Sequence, residues 1–321
     1  MAPPLLGFVR RQDRNIDQQN AHAAAENSMP QFMVSGPPVT LNKGEKVILS
    51  GLWKDPDVVA DLGFTFERFH QLTGSCVGAS LGNALVTLMA VQRKLAVNPT
   101  KVVLPFWPFD YGRTRWNEGD RGQGEGAINS VACQTMKTEG VLDATEAGLP
   151  QFTNSDGLIL TENLEMQYSD GGAAINTKWL PVAKQYPLGT AAPVKSSQDF
   201  YQGIVNGYPG YFGCDDFVSK GHIVGSGSDA YVSGTFDGRG GHSTCILGVW
   251  EHPTDGPLYL YQNNWPKSTY PDDPAGGSPC SVWLKESQVD RIFSQLDGDA
   301  YVLSHLTWFP SQSDQILNWI P

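Results

Sequence analysis

Thr73-Gly74-Ser75-Cys76-Val77-Gly78-Ala79-Ser80 is the stretch on which the reading of this chain turns. A tight Gly-Ser turn leads into a run in which Val77, Leu81, Leu85, Leu88 and Leu95 recur at helical spacing, with Ala84 and Met89 widening the apolar stripe. The spacing predicts a helix from Cys76 to about Leu95, with Cys76 in its first turn. Thiols attack as thiolates, and a helix amino terminus lowers a thiol pKa through its partial positive charge. The turn also aims the Cys76 backbone N–H to where it can stabilise the oxyanion of an acyl intermediate. The competing reading is a buried structural cysteine, the usual fate of a free thiol.

A histidine and an asparagine follow far downstream. Gly240-Gly241-His242-Ser243 opens a β-prone run to Trp250, the cluster His252-Pro253-Thr254-Asp255-Gly256-Pro257 reads as a turn, and a second run covers Leu258 to Asn263. If these runs form a hairpin with Trp250 near Gly256, Ser243 faces Asn263 and His242 lies one position away. An asparagine accepting from one imidazole nitrogen fixes the ring so that the other nitrogen faces a thiol, and Trp265 would shield that bond from water. His222 and His252 compete for the role, but neither enters a strand whose hairpin partner ends in a polar residue. Metal ligation has little support. His242 and Cys245 are three apart, and Cys214-Asp215-Asp216 with His222 lacks paired ligands at zinc-finger spacing. No cofactor is expected.

Composition narrows the partners. With 321 residues and 40% hydrophobic content the chain can bury a large core, and its 35 Gly and 22 Pro predict many turns, which suits a loop-rich α+β protein. A net charge of -11, from 22 Lys+Arg against 33 Asp+Glu without a basic cluster, gives no electrostatic basis for a nucleic-acid or anionic-membrane partner. The five cysteines, at 76, 133, 214, 245 and 280, contain no CxxC pair, which argues against a disulfide framework and for a reducing compartment. The start Met1-Ala2-Pro3-Pro4-Leu5-Leu6 lacks the pattern of a secretory signal, and no apolar run is long enough to cross a bilayer. An intracellular place, or one inside an assembled particle such as a virion, is expected.

Residues 1–45 read as an extended N-terminal arm, rich in Gln, Asn and Ala and expected to pack on neighbouring subunits. The domain proper is expected over 46–321, with about 46–165 mainly helical and about 166–321 mainly β. A second helix is predicted from Ala127 to about Thr138, terminated by Gly140. Val102 to Trp107 fits either a short helix or an extended crossing. β-prone runs cover 208–212, 230–236, 244–250, 258–263 and 300–308. Residues 119–126 read as a polar loop, not a phosphate cradle.

Taken together these motifs resemble the papain-like (peptidase C1 type) cysteine peptidases. Gly74-Ser75-Cys76 matches the nucleophile motif of that family, Gly241-His242 the imidazole motif, and Asn263-Asn264-Trp265 the asparagine motif; Gly124-Glu125-Gly126-Ala127-Ile128 followed by Glu139-Gly140-Val141 is similar to the segment around its second helix. The resemblance spans about residues 65–305. It implies an α+β fold of two subdomains, a helical left part and a β-barrel-like right part, with the cleft between them. It further implies a Cys76-His242-Asn263 triad acting on a peptide or protein substrate, with a glutamine completing the oxyanion site.

Some features depart from the pattern. An ungapped count puts His70 where the family has its oxyanion glutamine, and Gln71 one position later, so either Gln71 serves or the oxyanion site is altered. Val77 replaces an aromatic residue and Thr73 a disulfide cysteine. Cys76 and His242 lie 166 residues apart, which predicts insertions, placed within 150–235. Residues 1–45 do not resemble the inhibitory pro-region of the family, so no zymogen control is expected. The reading leans towards an enzyme, a thiol hydrolase of the cysteine peptidase kind. The alternatives are a structural subunit of a large assembly, such as a phage virion, that keeps the fold with reduced or no activity, and a cell-wall amidase.

Overall fold

A computed structural model describes residues 7–33, 37–95, 100–120, 125–146, 149, 153–154, 157–158, 160–169, 173–265, 270–294 and 299–309. Residues 7–9 are extended and are followed by α1 (Ile16–Asn27). α1 starts at a capping box: the Asn15 side chain accepts from the Gln18 N–H and the Gln18 side chain accepts from the Asn15 N–H. The arm is therefore extended only in part. β1 (Lys46–Ile48) is followed by α2 (Pro56–Leu62), which has Asp55 as its cap and Pro56 in its first turn.

α3 (Cys76–Leu95) has the bounds that its apolar spacing predicts. It is buried on every side from Cys76 to Gln92, because α4 (Trp107–Asn117) and α5 (Asn129–Thr138) pack on it away from the sheet. The segment between α3 and α4 is extended up to Phe106, with Pro105 bridging to Asp143, and turns helical at Trp107. α5 begins two residues later than expected, and Gly140 with φ +84° stands beyond its end. Next come two short strands, β2 (Thr153–Asn154) and β3 (Gly157–Leu158), then α6 (Glu162–Ser169) and α7 (Ala173–Ala183). The insertions expected within 150–235 fall partly outside the described residues.

The remaining elements build the sheet: β4 (Leu188–Pro193), α8 (Ser197–Val205), β5 (Gly210–Val224), β6 (Tyr231–His252), β7 (Gly256–Gln262), β8 (Ser281–Lys285), α9 (Glu286–Ser294) and β9 (Asp299–Leu306). Its strand order is β4-β9-β5-β6-β7-β8, with β1 added beside β6. The runs 230–236 and 244–250 are parts of one strand, because β5 pairs with β6 from Tyr231 to Ile246 and absorbs its irregularities in three register shifts. The sheet is not closed, which corrects the barrel expectation. β6 turns far enough for Ser233 to reach Trp283 of β8, but β4 at the other end packs Leu188 and Ala191 into the helical core instead of meeting β8.

Alternation along the strands decides the two faces. Tyr211, Cys245, Leu247, Tyr301 and Leu303 join Val77, Leu81 and Leu85 of α3 in one apolar core. Their sequence neighbours Phe212, Ile246 and Val302 point the other way, into a second core with Phe200, Ile204, Val289 and Ile292 of α8 and α9. The amino end of α3 thus lies against the middle of β6, where Cys76 meets Ser243.

Candidate active site

The hairpin of β6 and β7 brings the histidine and asparagine together, in a register different from the one expected. Trp250 pairs with Leu258 and His252 with Gly256, two positions from the expected pairing; a bulge between Ile246 and Val249 returns one, so that Cys245 pairs with Gln262. His242 and Asn263 still meet, with imidazole Nε2 3.1 Å from Asn263 Oδ1.

Hydrogen-bond accounting fixes the tautomer. Asn263 Oδ1 also accepts from the Asn264 N–H (2.8 Å), while Asn263 Nδ2 donates to the Tyr270 hydroxyl (2.8 Å), which donates to the Val218 carbonyl (2.7 Å). Oδ1 is therefore the acceptor towards His242, the imidazole proton sits on Nε2, and Nδ1 keeps its lone pair. Nδ1 has no hydrogen-bond partner among the described residues. The Trp265 ring lies over the imidazole at 5.3 Å between centroids, tilted by 35°, and Phe217 meets it edge-on at 5.9 Å. Burial among these rings pushes the imidazole pKa down to about 4, against the opposing effect of Asn263.

Cys76 opens α3 and has no exposed surface. Its sulfur accepts from the Ser243 N–H at 3.3 Å, next to His242 in the chain. Burial pushes the thiol pKa up to about 12, and the backbone N–H groups of Ser243, Gly7 and Val77 pull the other way. Asn264, which carries no role in the reading above, staples this corner. Its Nδ2 reaches the Cys76 carbonyl (3.0 Å), Ser80 Oγ (2.7 Å) and the Ser243 carbonyl (3.2 Å).

Gln71 lies in the same loop. Its backbone N–H donates to the Asn264 carbonyl and its side-chain amide to the Thr73 carbonyl, both at 2.8 Å. His70 is half-buried, with its pKa lowered by burial and by Arg68. Two further groups hold this loop. The Tyr111 hydroxyl donates to the Gly74 carbonyl (3.0 Å) and accepts from the Gly126 N–H (2.7 Å), and the Glu165 carboxylate accepts from Leu72, Thr73 and Ser75. Neither has a local sequence signal.

Between the two walls of the cleft lies the chain's own amino-terminal segment. The Phe8 N–H donates to the Gly241 carbonyl (3.2 Å), the Val9 N–H to the Ala127 carbonyl (3.0 Å), and the Ala127 N–H to the Gly7 carbonyl (2.9 Å). Phe8 runs parallel to Ala127 and is buried. The fit leaves no space for a side chain at Gly7, where an added Cβ would stand 1.5 Å from the Gly74 carbonyl oxygen. A groove of about 720 Å³ remains beside this segment, lined by Phe8, Arg10, Asp13, Glu125 and Gly241 among others, and neither Cys76 nor His242 lines it. Backbone hydrogen bonding and steric fit, invisible to composition, seat residues 7–9 against the thiol.

α1 anchors that segment. His22 Nδ1 is 2.6 Å from Ser130 Oγ, His22 Nε2 is 3.4 Å from a Glu26 oxygen, and Arg14 is 3.5 Å from Asp299. His22, Glu26 and Asp299 present ligand-type atoms within 4.8 Å of one another. The Arg14 guanidinium already supplies a cation there, so the group reads as an ion cluster. No described helix is long and apolar enough to cross a membrane.

Among solved structures, the fold matches xylellain, a cysteine protease from Xylella fastidiosa, with a TM-score of 0.53 at 14% identity, over 86% of this chain and 94% of that one. The digestive procathepsin L2 proteinase of Tenebrio molitor larval midgut matches with a TM-score of 0.50 at 13% identity, over 94% of this chain and 84% of that one. No protein-family model and no curated protein sequence matches the chain. The fold is papain-like, of the α+β class.

Proposed function

We propose that the chain is a papain-like thiol hydrolase, a cysteine peptidase with Cys76 as nucleophile, His242 as base and then acid, and Asn263 as the group that orients it. The observation that carries the reading is the Nε2–H tautomer that Asn263 imposes on His242, which leaves Nδ1 as a free base next in sequence to the residue whose N–H touches the Cys76 sulfur. That the matched structures include a cysteine protease and a procathepsin proteinase supports it.

Chemistry follows from these atoms once residues 7–9 leave. His242 Nδ1 takes the Cys76 proton, the thiolate adds to a peptide carbonyl carbon, and the oxyanion accepts from the Cys76 N–H and the Gln71 amide. Collapse breaks the C–N bond, the amine leaves with the proton from His242, and water deprotonated by the same imidazole releases the acid and restores the thiol. With the segment in place, thiol and imidazole are both neutral, because burial raises one pKa and lowers the other. The covered site is latent.

Two substitutions in the full-length chain test this. Gly7→Ala cannot seat its methyl group against Gly74, so it should expel the segment and raise the rate of Cys76 alkylation by iodoacetamide at least about tenfold, the equivalent of about 1.4 kcal/mol. Peptide hydrolysis should appear with it and vanish in Gly7→Ala/Cys76→Ala. Hydrolysis that survives loss of Cys76, or a Gly7→Ala chain whose Cys76 stays unreactive, would overturn the proposal.

A further inference from the structure

Resting on the reading above, we propose that Glu165 is a positioning residue of this site: from α6 it folds the turn before Cys76 and, through Thr73, sets the direction of the Gln71 side-chain amide.

Glu165 is fully buried, and no Lys or Arg forms an ion pair with it among the described residues. One carboxylate oxygen accepts from the Leu72 N–H (2.8 Å); the other accepts from the Thr73 N–H (2.9 Å), the Thr73 hydroxyl (2.5 Å) and the Ser75 hydroxyl. All four donors belong to one turn, some ninety residues away in sequence. Burying a carboxylate without a cation is costly, and an apolar side chain of similar volume would serve stability at least as well. What an apolar side chain cannot do is hold four donors of a single turn in one arrangement. An ionised carboxylate, which only accepts, suits four donors; a protonated one must aim its own O–H at one of them.

The arrangement continues outward. With its N–H and hydroxyl fixed by Glu165, Thr73 directs its carbonyl at Gln71, whose side-chain amide donates to it at 2.8 Å. Tyr111 holds the Gly74 carbonyl and Asn264 receives the Gln71 N–H. Glu165 is thus two hydrogen bonds from the Gln71 amide. Its support comes from α4: Tyr168, one turn on in α6, meets Phe106 edge-on at 4.9 Å, and the Ser169 carbonyl accepts from Arg115 at 3.2 Å. Burial holds the Glu165 pKa above the ordinary carboxylate value despite the four donors. The action of Glu165 on the site runs through this chain of hydrogen bonds.

The test uses the full-length Gly7→Ala chain as parent. Glu165→Gln replaces one accepting oxygen by an amide that donates. Expected is a fall in kcat per alkylatable Cys76 of roughly a hundredfold, the scale of losing one oxyanion donor, with KM within about threefold. The pH midpoint of Cys76 alkylation should stay where it was, and the double variant Gln71→Ala/Glu165→Gln should be no slower than Gln71→Ala alone, since both act through one amide. Fully multiplicative effects, or a shift of the alkylation midpoint, would overturn the inference. Thr73→Val, which keeps the Glu165 carboxyl group and removes one donor, should move kcat in the same direction by less, and serves where Glu165→Gln fails to fold. One readout needs no turnover: the Gln71 side-chain amide resonance should shift in both Glu165→Gln and Thr73→Val, and its constancy in both would overturn the inference. A parent that neither alkylates nor cleaves instead defeats the peptidase proposal and leaves that resonance to decide the role of Glu165.

Discussion

His242 is held neutral by its surroundings, and that has a consequence for stability. Its pKa is pushed down to about 4 in the folded chain, whereas the unfolded chain titrates near the ordinary value of about 6.5. As pH falls the unfolded state binds the proton first, so stability present above about pH 6.5 is lost between there and about pH 4. The loss attributable to this residue is about 3 kcal/mol. Urea unfolding at pH 7 and pH 4.5 should show a smaller decline in His242→Gln than in the parent; equal declines would show that His242 is not the titrating group. At this scale the residues proposed as a triad could be named as candidates, because each is announced locally: the thiol by a turn before a helical stripe, the histidine by Gly-Gly before a strand, the asparagine by the end of the next strand. Glu165 and Tyr111 could not. Their partners lie 90 and 37 positions away across folded elements, and no local pattern records such a meeting.

Among the elements, α3 was read to its bounds because its apolar stripe, its Gly-Ser entry and its length all agree. The β6–β7 register was not: the hairpin turn sets Trp250 opposite Leu258, two positions from expectation, and a bulge between Ile246 and Val249, in a stretch that reads as ordinary strand, returns only one of them. α1 was missed for a different reason. With Gln, Asn and Ala along most of its length it lacks an apolar face, and its order comes from the capping box and from the contacts of His22, Ala25 and Arg14 with the body. The cap is thus a lever on the site. Asn15→Ala should cost about 1 kcal/mol of α1 stability and raise the rate of Cys76 alkylation severalfold, which mass spectrometry of the time course measures. An unchanged rate would mean that α1 does not hold residues 7–9.

On the scale of the whole molecule, the fold is two packed layers meeting where the amino end of α3 touches β6, and the arm crosses that seam. Order and motif could place the seam from sequence, since Cys76 and His242 mark its two sides. They could not place the arm, whose seat is made of backbone groups of Gly7, Phe8, Ala127 and Gly241 that every residue possesses. Its anchor is likewise assembled from distant parts, with Arg14 and His22 near one terminus and Asp299 and Tyr301 near the other.

Because the segment at Gly7 is joined covalently to the cleft it fills, opening and closing are unimolecular, and the effective concentration of the plug is set by the tether. Diluting the protein a thousandfold should leave the fraction of reactive Cys76 unchanged, whereas a separate peptide of the same sequence would have to be supplied near millimolar levels to compete with it. A molecule built in this way would cover its thiol to the same degree at any abundance.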